Sequence, residues 1–309
     1  MRKILGINIS HNCSFAYFED QTLKEYYEED RFNLIKGFEP PLDNYQYEVL
    51  KKFKDVVFDG VAFVSYDRWP EQEDKIIIDN ILTQVNTKDY HFFEHEHHLL
   101  HVYCGMYFSK FDEALCLVTD GGGERIHKWQ FQTIESIWKT NKNKIDTKHT
   151  KTTPLYKHAT SCRYDFWNTY EIKKQELNYN DGYDTKLSNH LCAGQKFSHY
   201  KHKANFKQAG FLMGVAAYKN KKTSIDPKIL DYAHKAQEET LEERIDLIKK
   251  AMTYSDCKNI ILSGGYHMNC ANNFKLVKHF PECNFFVDPI ANDAGTAVGA
   301  AYCYENISQ

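Results

Sequence analysis

The sequence predicts an α/β chain folded as two lobes, each a mixed five-stranded sheet flanked by helices. Two observations carry this expectation. A strand-strand-strand-helix-strand-helix-strand-helix order runs through residues 1–110 and begins again over 111–309, and 309 residues suit two units of about 150 residues each. A third supports it: Asp120 ends an apolar strand and glycines follow two strands, as in a cleft between lobes.

The first run opens with KILGINI, CSFAYFE and LKEYYEE, rich in β-branched and aromatic residues and separated by Ser, His, Asn, Asp and Gln, the pattern of a β-meander. An amphipathic segment (DNYQYEVLKKF), a strand (GVAFVSY), a helix (EDKIIIDNILTQV), a strand (YHFFE) and a helix from His97 follow. This is the element order of a ribonuclease H-like unit. The second run has ALCLVTD, a GGGE turn and RIHKWQFQTIESIW as two or three strands. A basic, aromatic insertion over about 140–227 reads as helical with loops. A helix from about 227 to 252, the strand NIILSG, a helix from about His267, the strand NFFV and a last helix, DAGTAVGAAYCYE, complete it. The halves share little sequence, so the duplication rests on element order.

Apolar residues at 42% and charged residues at 26% exclude a disordered or fibrous chain. No apolar run approaches the roughly 20 residues that span a bilayer, and polar residues break MRKILGINISHNC before a signal-peptide core could form, so a cytoplasmic chain with no membrane partner is expected. Nine cysteines without a CxxC pair read as reduced, mostly packed thiols, with Cys13 and Cys270 read as packing, and do not suggest a thiolate zinc knuckle. A net charge of −3 argues against wholesale nucleic-acid binding. Two stretches depart from it: residues 135–158 hold six lysines against Glu135 and Asp146, and residues 195–228 hold eight against Asp226.

His97 and His101 in EHHLLH stand four residues apart, so a helix stacks both imidazoles on one face, where they can share a metal or be ordinary surface or core histidines. Asp120 ends LCLVTD and Asp293 begins the last helix, and carboxylates at such positions point into the cleft or serve as turn and cap residues. Two imidazoles with two carboxylates suit octahedral Fe(II), Mn(II) or Mg(II) better than a closed zinc site. Gly121, Gly122 and Gly123 allow backbone N–H groups to approach phosphate oxygens, or form a plain hairpin turn. Gly264 and Gly265, between a strand and a helix, favour the nucleotide reading. His11, in the turn INISHNCS, could take a proton from an attacking hydroxyl or be a hydrogen-bonded turn histidine, and Arg31 and Lys36 in EEDRFNLIKG could hold an anionic or carbonyl group or make surface ion pairs.

Together GINISHNCSFA, YEEDRFNLIKG, EHHLLHVYCGMYFSKFDEALCLVTDGGGE, FLMGVAAY, LSGGYHMNCANNFKL and PIANDAGTAVGAAY resemble, in order, the Kae1-like domain of the O-carbamoyltransferases of the nodulation and antibiotic-biosynthesis family. The resemblance implies an actin-like ATPase fold. It implies a metal at His97, His101, Asp120 and Asp293, adenine-nucleotide contacts around Gly121, Gly122, Gly264, Gly265 and Asn269, and acceptor activation at His11. The implied reaction uses ATP and carbamoyl phosphate to form carbamoyl adenylate, whose carbamoyl group passes to an acceptor hydroxyl.

Three departures bear on the donor. Family members usually carry a second, YrdC-like domain that makes the adenylate, and this chain stops at Gln309 after the last helix, so a separate YrdC-like activating protein, a preformed donor, or both steps in one cleft is expected. Phe211 follows Gly210 where a lysine is usual, and Leu34 replaces the second arginine of ERFxR. For the acceptor, the lysine-rich stretches carry Tyr156, Tyr164, Phe166, Trp167, Phe197, Tyr200 and Phe206 within or near them. Stacking rings with phosphate-tracking lysines suit a hydroxymethylated pyrimidine in DNA or a nucleotide, and a solvated lysine-rich surface accounts for the same stretches equally well. The alternatives are a sugar or natural-product acceptor and a non-catalytic ATP-binding subunit.

Overall fold

The computed structural model describes residues 1–66, 72–123, 125–126, 131–141, 152–161, 183–184, 206–219 and 221–307. β1 (Lys3–Asn8), β2 (Ser14–Glu19) and β3 (Thr22–Glu28) form the antiparallel meander. A short turn of helix, α1 (Asp30–Asn33), follows. Then come β4 (Val57–Phe58), β5 (Gly60–Val64), α2 (Gln72–Leu82), β6 (Asn86–Thr87), β7 (Tyr90–Phe93) and α3 (His97–Phe108). β5 lies parallel to β1 and β7 parallel to β5, giving the order β3-β2-β1-β5-β7, while β4 and β6 form a small pair of their own.

The second sheet repeats the plan. β8 (Glu113–Thr119) pairs antiparallel with β10 (Phe131–Asn141), and β10 with β11 (Thr152–Ser161); β13 (Asn259–Ser263) lies parallel to β8 and β14 (Asn284–Val287) parallel to β13. With β9 (Arg125–Ile126) on β10 and β12 (Tyr183–Asp184) on β11 as additions, the path is β12-β11-β10-β8-β13-β14. Its central five strands repeat the order and strand senses of the first sheet, which is the duplication expected from the element order. The remaining helices are α4 (Phe206–Val215), α5 (Pro227–Tyr254), α6 (Cys270–His279) and α7 (Thr296–Ile307).

Two sequence expectations change. The 140–227 insertion was expected to be helical with loops. Among its described residues, Thr152–Ser161 form β11 instead, pairing antiparallel with β10 from Phe131↔Ser161 to Thr140↔Thr152 with register shifts between Thr133 and Glu135 and between Ile137 and Trp138, and Phe206–Val215 form the helix α4. The long edge of β10 supplies a ladder that Thr152, Thr153, Tyr156 and Thr160 suit, so pairing decides where local periodicity did not. The amphipathic segment 43–53 shrinks to the 3₁₀ turn Leu50–Phe53. The buried Glu29 carboxylate accepts from the N–H groups of Glu48 (2.8 Å) and Val49 (3.1 Å), which fixes that backbone in a non-helical path. Much of the two lysine-rich stretches, with Tyr164, Phe166, Trp167, Phe197 and Tyr200, lies outside the described residues.

Strand alternation sorts the core. Leu5, Ile7, Phe15, Tyr17, Val61 and Phe63 face an outer cluster capped by α2, whereas Ile4, Ala16, Phe18, Ala62 and Val64 face inward. In the second sheet Leu115, Leu117, Ile260 and Leu262 face α5 and α6, and Ala114, Cys116, Val118 and Ile261 face inward. The inward faces share one core with α3 and α7. Close approach there requires small residues: a Cβ on Gly6 would stand 2.0 Å from the Ala297 carbonyl oxygen, and one on Gly299 1.9 Å from that of Leu100. The described cysteines are free thiols, and among the described residues no helix is long and apolar enough to cross a membrane.

Candidate metal centre and active site

His97 and His101 open α3 one turn apart, their ring centroids separated by 5.0 Å and both side chains buried. His98 between them turns toward β10, where its Nδ1 lies 2.7 Å from Ser136 Oγ. Asp120 follows the last residue of β8, and its Oδ1 accepts from the N–H of Gly121 (2.8 Å) and of Gly265 (3.2 Å). Those bonds leave Oδ2 aimed at the imidazoles, 3.5 Å from His97 Nε2 and 3.7 Å from His101 Nε2. Asp293, at the turn entering α7, places Oδ2 3.7 Å from His97 Nε2. One ligand atom from each of the four residues lies within 4.8 Å of the others.

The spacing of these atoms would let them hold one ion. Two ligands about 2.1 Å from one cation stand roughly 3 to 4 Å apart. Asp120 Oδ2 and both ring nitrogens of His101 are buried without a hydrogen-bond partner among the described residues. Such orphaned atoms cost about 1–3 kcal/mol each, and one divalent cation would satisfy Asp120 Oδ2 and His101 Nε2, the ring nitrogen that faces it, together. Burial pushes the Asp120 carboxyl upward, but His101 and His97 outweigh burial and hold it well below the ordinary carboxylate value. It therefore stays ionised, as a ligand must.

The other sequence candidates divide. His11 joins the group: its Nδ1 lies 3.2 Å from Asp293 Oδ2. Gly264 has φ +91, and a Cβ there would stand 2.3 Å from the Thr119 carbonyl oxygen, so only glycine lets this turn bring the Gly265 N–H to Asp120. Gly121 and Gly122 are half-buried in the turn after β8. Gly123 has a packing role, because a Cβ there would meet His98 Cδ2 at 2.2 Å. Asn269 is turned into the protein: its Oδ1 accepts from Asn272 N (3.2 Å) and Gln237 Nε2 (3.0 Å), capping α6, and its Nδ2 donates to Gln237 Oε1 (2.8 Å). Arg31 is exposed and paired with Glu28 (3.3 Å) and Asp30 (3.5 Å), and Lys36 is exposed on the same loop.

Sequence reasoning missed several contributors. Ser10 Oγ lies 3.4 Å from Asp293 Oδ2 and is itself held by Asn8 Oδ1 at 2.7 Å. Ser14 Oγ donates to the Ala294 carbonyl at 2.7 Å, tying β2 to the turn that carries Asp293. Both serines flank His11 in the turn INISHNCS, so proximity to that residue was the available signal. Beneath the glycine turns, Arg244 from α5 ion-pairs with Glu135 of β10 and donates to Thr119 Oγ1 at 2.8 Å. A lone arginine on a long polar helix carries no such signal in sequence.

A family model described as carbamoyltransferase N-terminus matches residues 18–302. The chain belongs to this family. This carbamoyltransferase-family chain is similar, at 25% identity over 229 residues, to uncharacterized protein sll1178 of Synechocystis sp.; the match covers 67% of this chain and 35% of that protein. Among solved structures, full-length HypF in its phosphate- and nucleotide-bound form aligns at TM-score 0.55 and 12% identity, covering 100% of this chain and 56% of HypF. A ROK family protein from Streptococcus pneumoniae, in complex with sucrose, aligns at TM-score 0.53 and 11% identity, covering 98% of this chain and 97% of that one. These likenesses establish the actin-like ATPase fold. The chain thus spans about a third of its curated relative and about half of HypF.

Proposed function

We propose that this chain transfers a carbamoyl group to an acceptor hydroxyl, the carbamoyl group coming from carbamoyl phosphate activated with ATP as carbamoyl adenylate. The observation that carries the reading is the convergence of His97, His101, Asp120 and Asp293 within 4.8 Å in a chain of the carbamoyltransferase family. Residues 1–110 and 111–309 are proposed as the lobes flanking the site. Fe(II) is the favoured ion, with Mn(II) or Mg(II) as alternatives. When bound, it supplies positive charge for phosphate oxygens and polarises the carbonyl.

The chain's own groups do the rest. The backbone turns at Gly121, Gly122, Gly264 and Gly265 hold the phosphate end of the nucleotide, with Asn269 keeping the second turn in shape through Gln237. His11, its Nδ1 against Asp293, takes the acceptor proton at Nε2. The acceptor oxygen bonds to the carbonyl carbon, the carbon–phosphate oxygen bond breaks, and AMP leaves with the electron pair. Arg31 and Lys36 would meet the donor or acceptor only from the rim, since both are exposed. That placement favours a second reading, in which a separate YrdC-like protein makes the adenylate and this chain binds ATP in support.

The acceptor we favour is a hydroxymethylated pyrimidine in DNA or a nucleotide, supported by the lysine and aromatic content of 135–158 and 195–228; a sugar or natural-product hydroxyl is the competitor. The free thiols suit a reducing compartment such as the cytoplasm. The test mixes the protein with Fe(II), ATP and carbamoyl phosphate, with and without a YrdC-like protein, over a panel of such acceptors. A mass gain of one carbamoyl group on the pyrimidine confirms the reading. Gain only on sugars, or DNA binding indifferent to salt, overturns the acceptor. No gain on any acceptor, with ATP still bound, supports the ATP-binding subunit instead.

A further inference from the structure

We infer that Asp74 is a positioning residue for the metal centre, acting on His97 through Ser65. The inference rests on the metal reading above and adds to it a residue that contacts neither ion nor substrate. His97 Nδ1 lies 3.3 Å from the backbone oxygen of Ser65. A carbonyl only accepts, so that nitrogen carries the ring proton, and Nε2, which faces Asp120 and Asp293, keeps its lone pair for a cation.

The Ser65 carbonyl needs its own anchor. The β5 ladder ends at Val64, paired to Asn8 and Phe93, so sheet hydrogen bonding stops one residue short of Ser65. The Ser65 hydroxyl supplies the anchor by donating to Asp74 Oδ1 at 2.8 Å. Asp74 is held in the first turn of α2, a rigid element packed on the outer face of the first sheet through Ile77, Ile78 and Ile81. Ser65 and His97 are 0% exposed and Asp74 is 3% exposed, so water does not compete for either bond. The chain from α2 to Ser65 to His97 sets ring tautomer and orientation from the first lobe. Asp120 reaches the same ring from the second.

The experiment titrates Co(II) into the full chain and follows its visible absorption, which reports coordination geometry, for wild type, Asp74→Ala, Asp74→Asn and Ser65→Ala. We expect Asp74→Ala and Ser65→Ala to weaken Co(II) binding about 10-fold or more and to change the spectrum. Asp74→Asn, which keeps an oxygen acceptor for the serine hydroxyl, should stay within about 3-fold of wild type with an unchanged spectrum. If both removals bind Co(II) with wild-type affinity and spectrum, the positioning role is refuted while the metal reading stands. If the Asn variant loses as much as the Ala variant, the hydrogen-bond chain is refuted. A wild type that takes up no Co(II) sinks the metal reading and this inference with it. Should Asp74→Ala fail to fold, Ser65→Ala, which deletes one hydroxyl, decides.

Discussion

Replacing Glu135 by Leu strands a cation inside the protein. The Arg244 side chain is 2% exposed and that of Glu135 8%. One guanidinium nitrogen meets Glu135 Oε1, the other donates to Thr119 Oγ1 at 2.8 Å, and the group lies 5.7 Å from the Tyr266 ring centroid. Burial alone would lower the Arg244 pKa, but Glu135 raises it above the ordinary arginine value, so the cation cannot escape by losing its proton. Removing one partner of such a pair costs about 3–5 kcal/mol. Leucine nearly fills the glutamate's volume, so little of that cost is cavity. At roughly 2 °C per kcal/mol for a chain this long, the midpoint should fall by about 6–10 °C. Urea and thermal unfolding followed by circular dichroism measure it. Glu135→Leu combined with Arg244→Met removes both charges and should recover most of the loss. A single variant that costs under about 1 kcal/mol, or a double variant as unstable as the single one, would refute the reasoning.

Other outcomes follow from the same geometry. Mn(II) should raise the melting temperature of the wild type, and His101→Ala should abolish that rise; an undiminished rise in the variant would remove His101 from the ion site. Gly264→Ala meets both a left-handed backbone (φ +91) and the Thr119 carbonyl, so it should cost at least about 2 kcal/mol and abolish ATP-induced thermal stabilisation. Retained ATP response at wild-type stability would show that the turn has room. Burial pushes the His267 imidazole from its ordinary 6.5 down to about 3, so between those values the unfolded chain binds a proton that the folded chain does not. The stability this group confers is complete above pH 6.5 and is lost as pH falls toward 3, about 2 kcal/mol of it by pH 5. His267→Gln should flatten that limb of the urea midpoint against pH; an unchanged slope would place the titration elsewhere.

Much of this architecture is local and therefore legible. Alternation alone places Ile4 opposite Leu5 and Ile7 on β1, because successive side chains on a strand leave by opposite faces. The four-residue spacing of His97 and His101 puts both rings on one helical face for the same kind of reason. Asp120 was legible as the end of an apolar strand. Longer-range decisions were not. Thr152–Ser161 became a strand because β10 offered it an edge, and the pairing of Asn269 with Gln237 and the packing of His98 against Gly123 were set by contacts between distant elements.

What the sequence by itself determined is the set of elements and the chemical types able to hold an ion. Only the tertiary structure decided that they meet. Asp120 and Asp293 reach the same imidazole because β8 and β13 run in parallel register, Leu117 beside Leu262, and because α7 closes on α3 where Gly299 lies against the Leu100 carbonyl. Ser65 and Asp74 join them through a carbonyl and a hydroxyl that any sequence of this composition could supply. Their meaning comes from where the chain end of β5 and the start of α2 are packed.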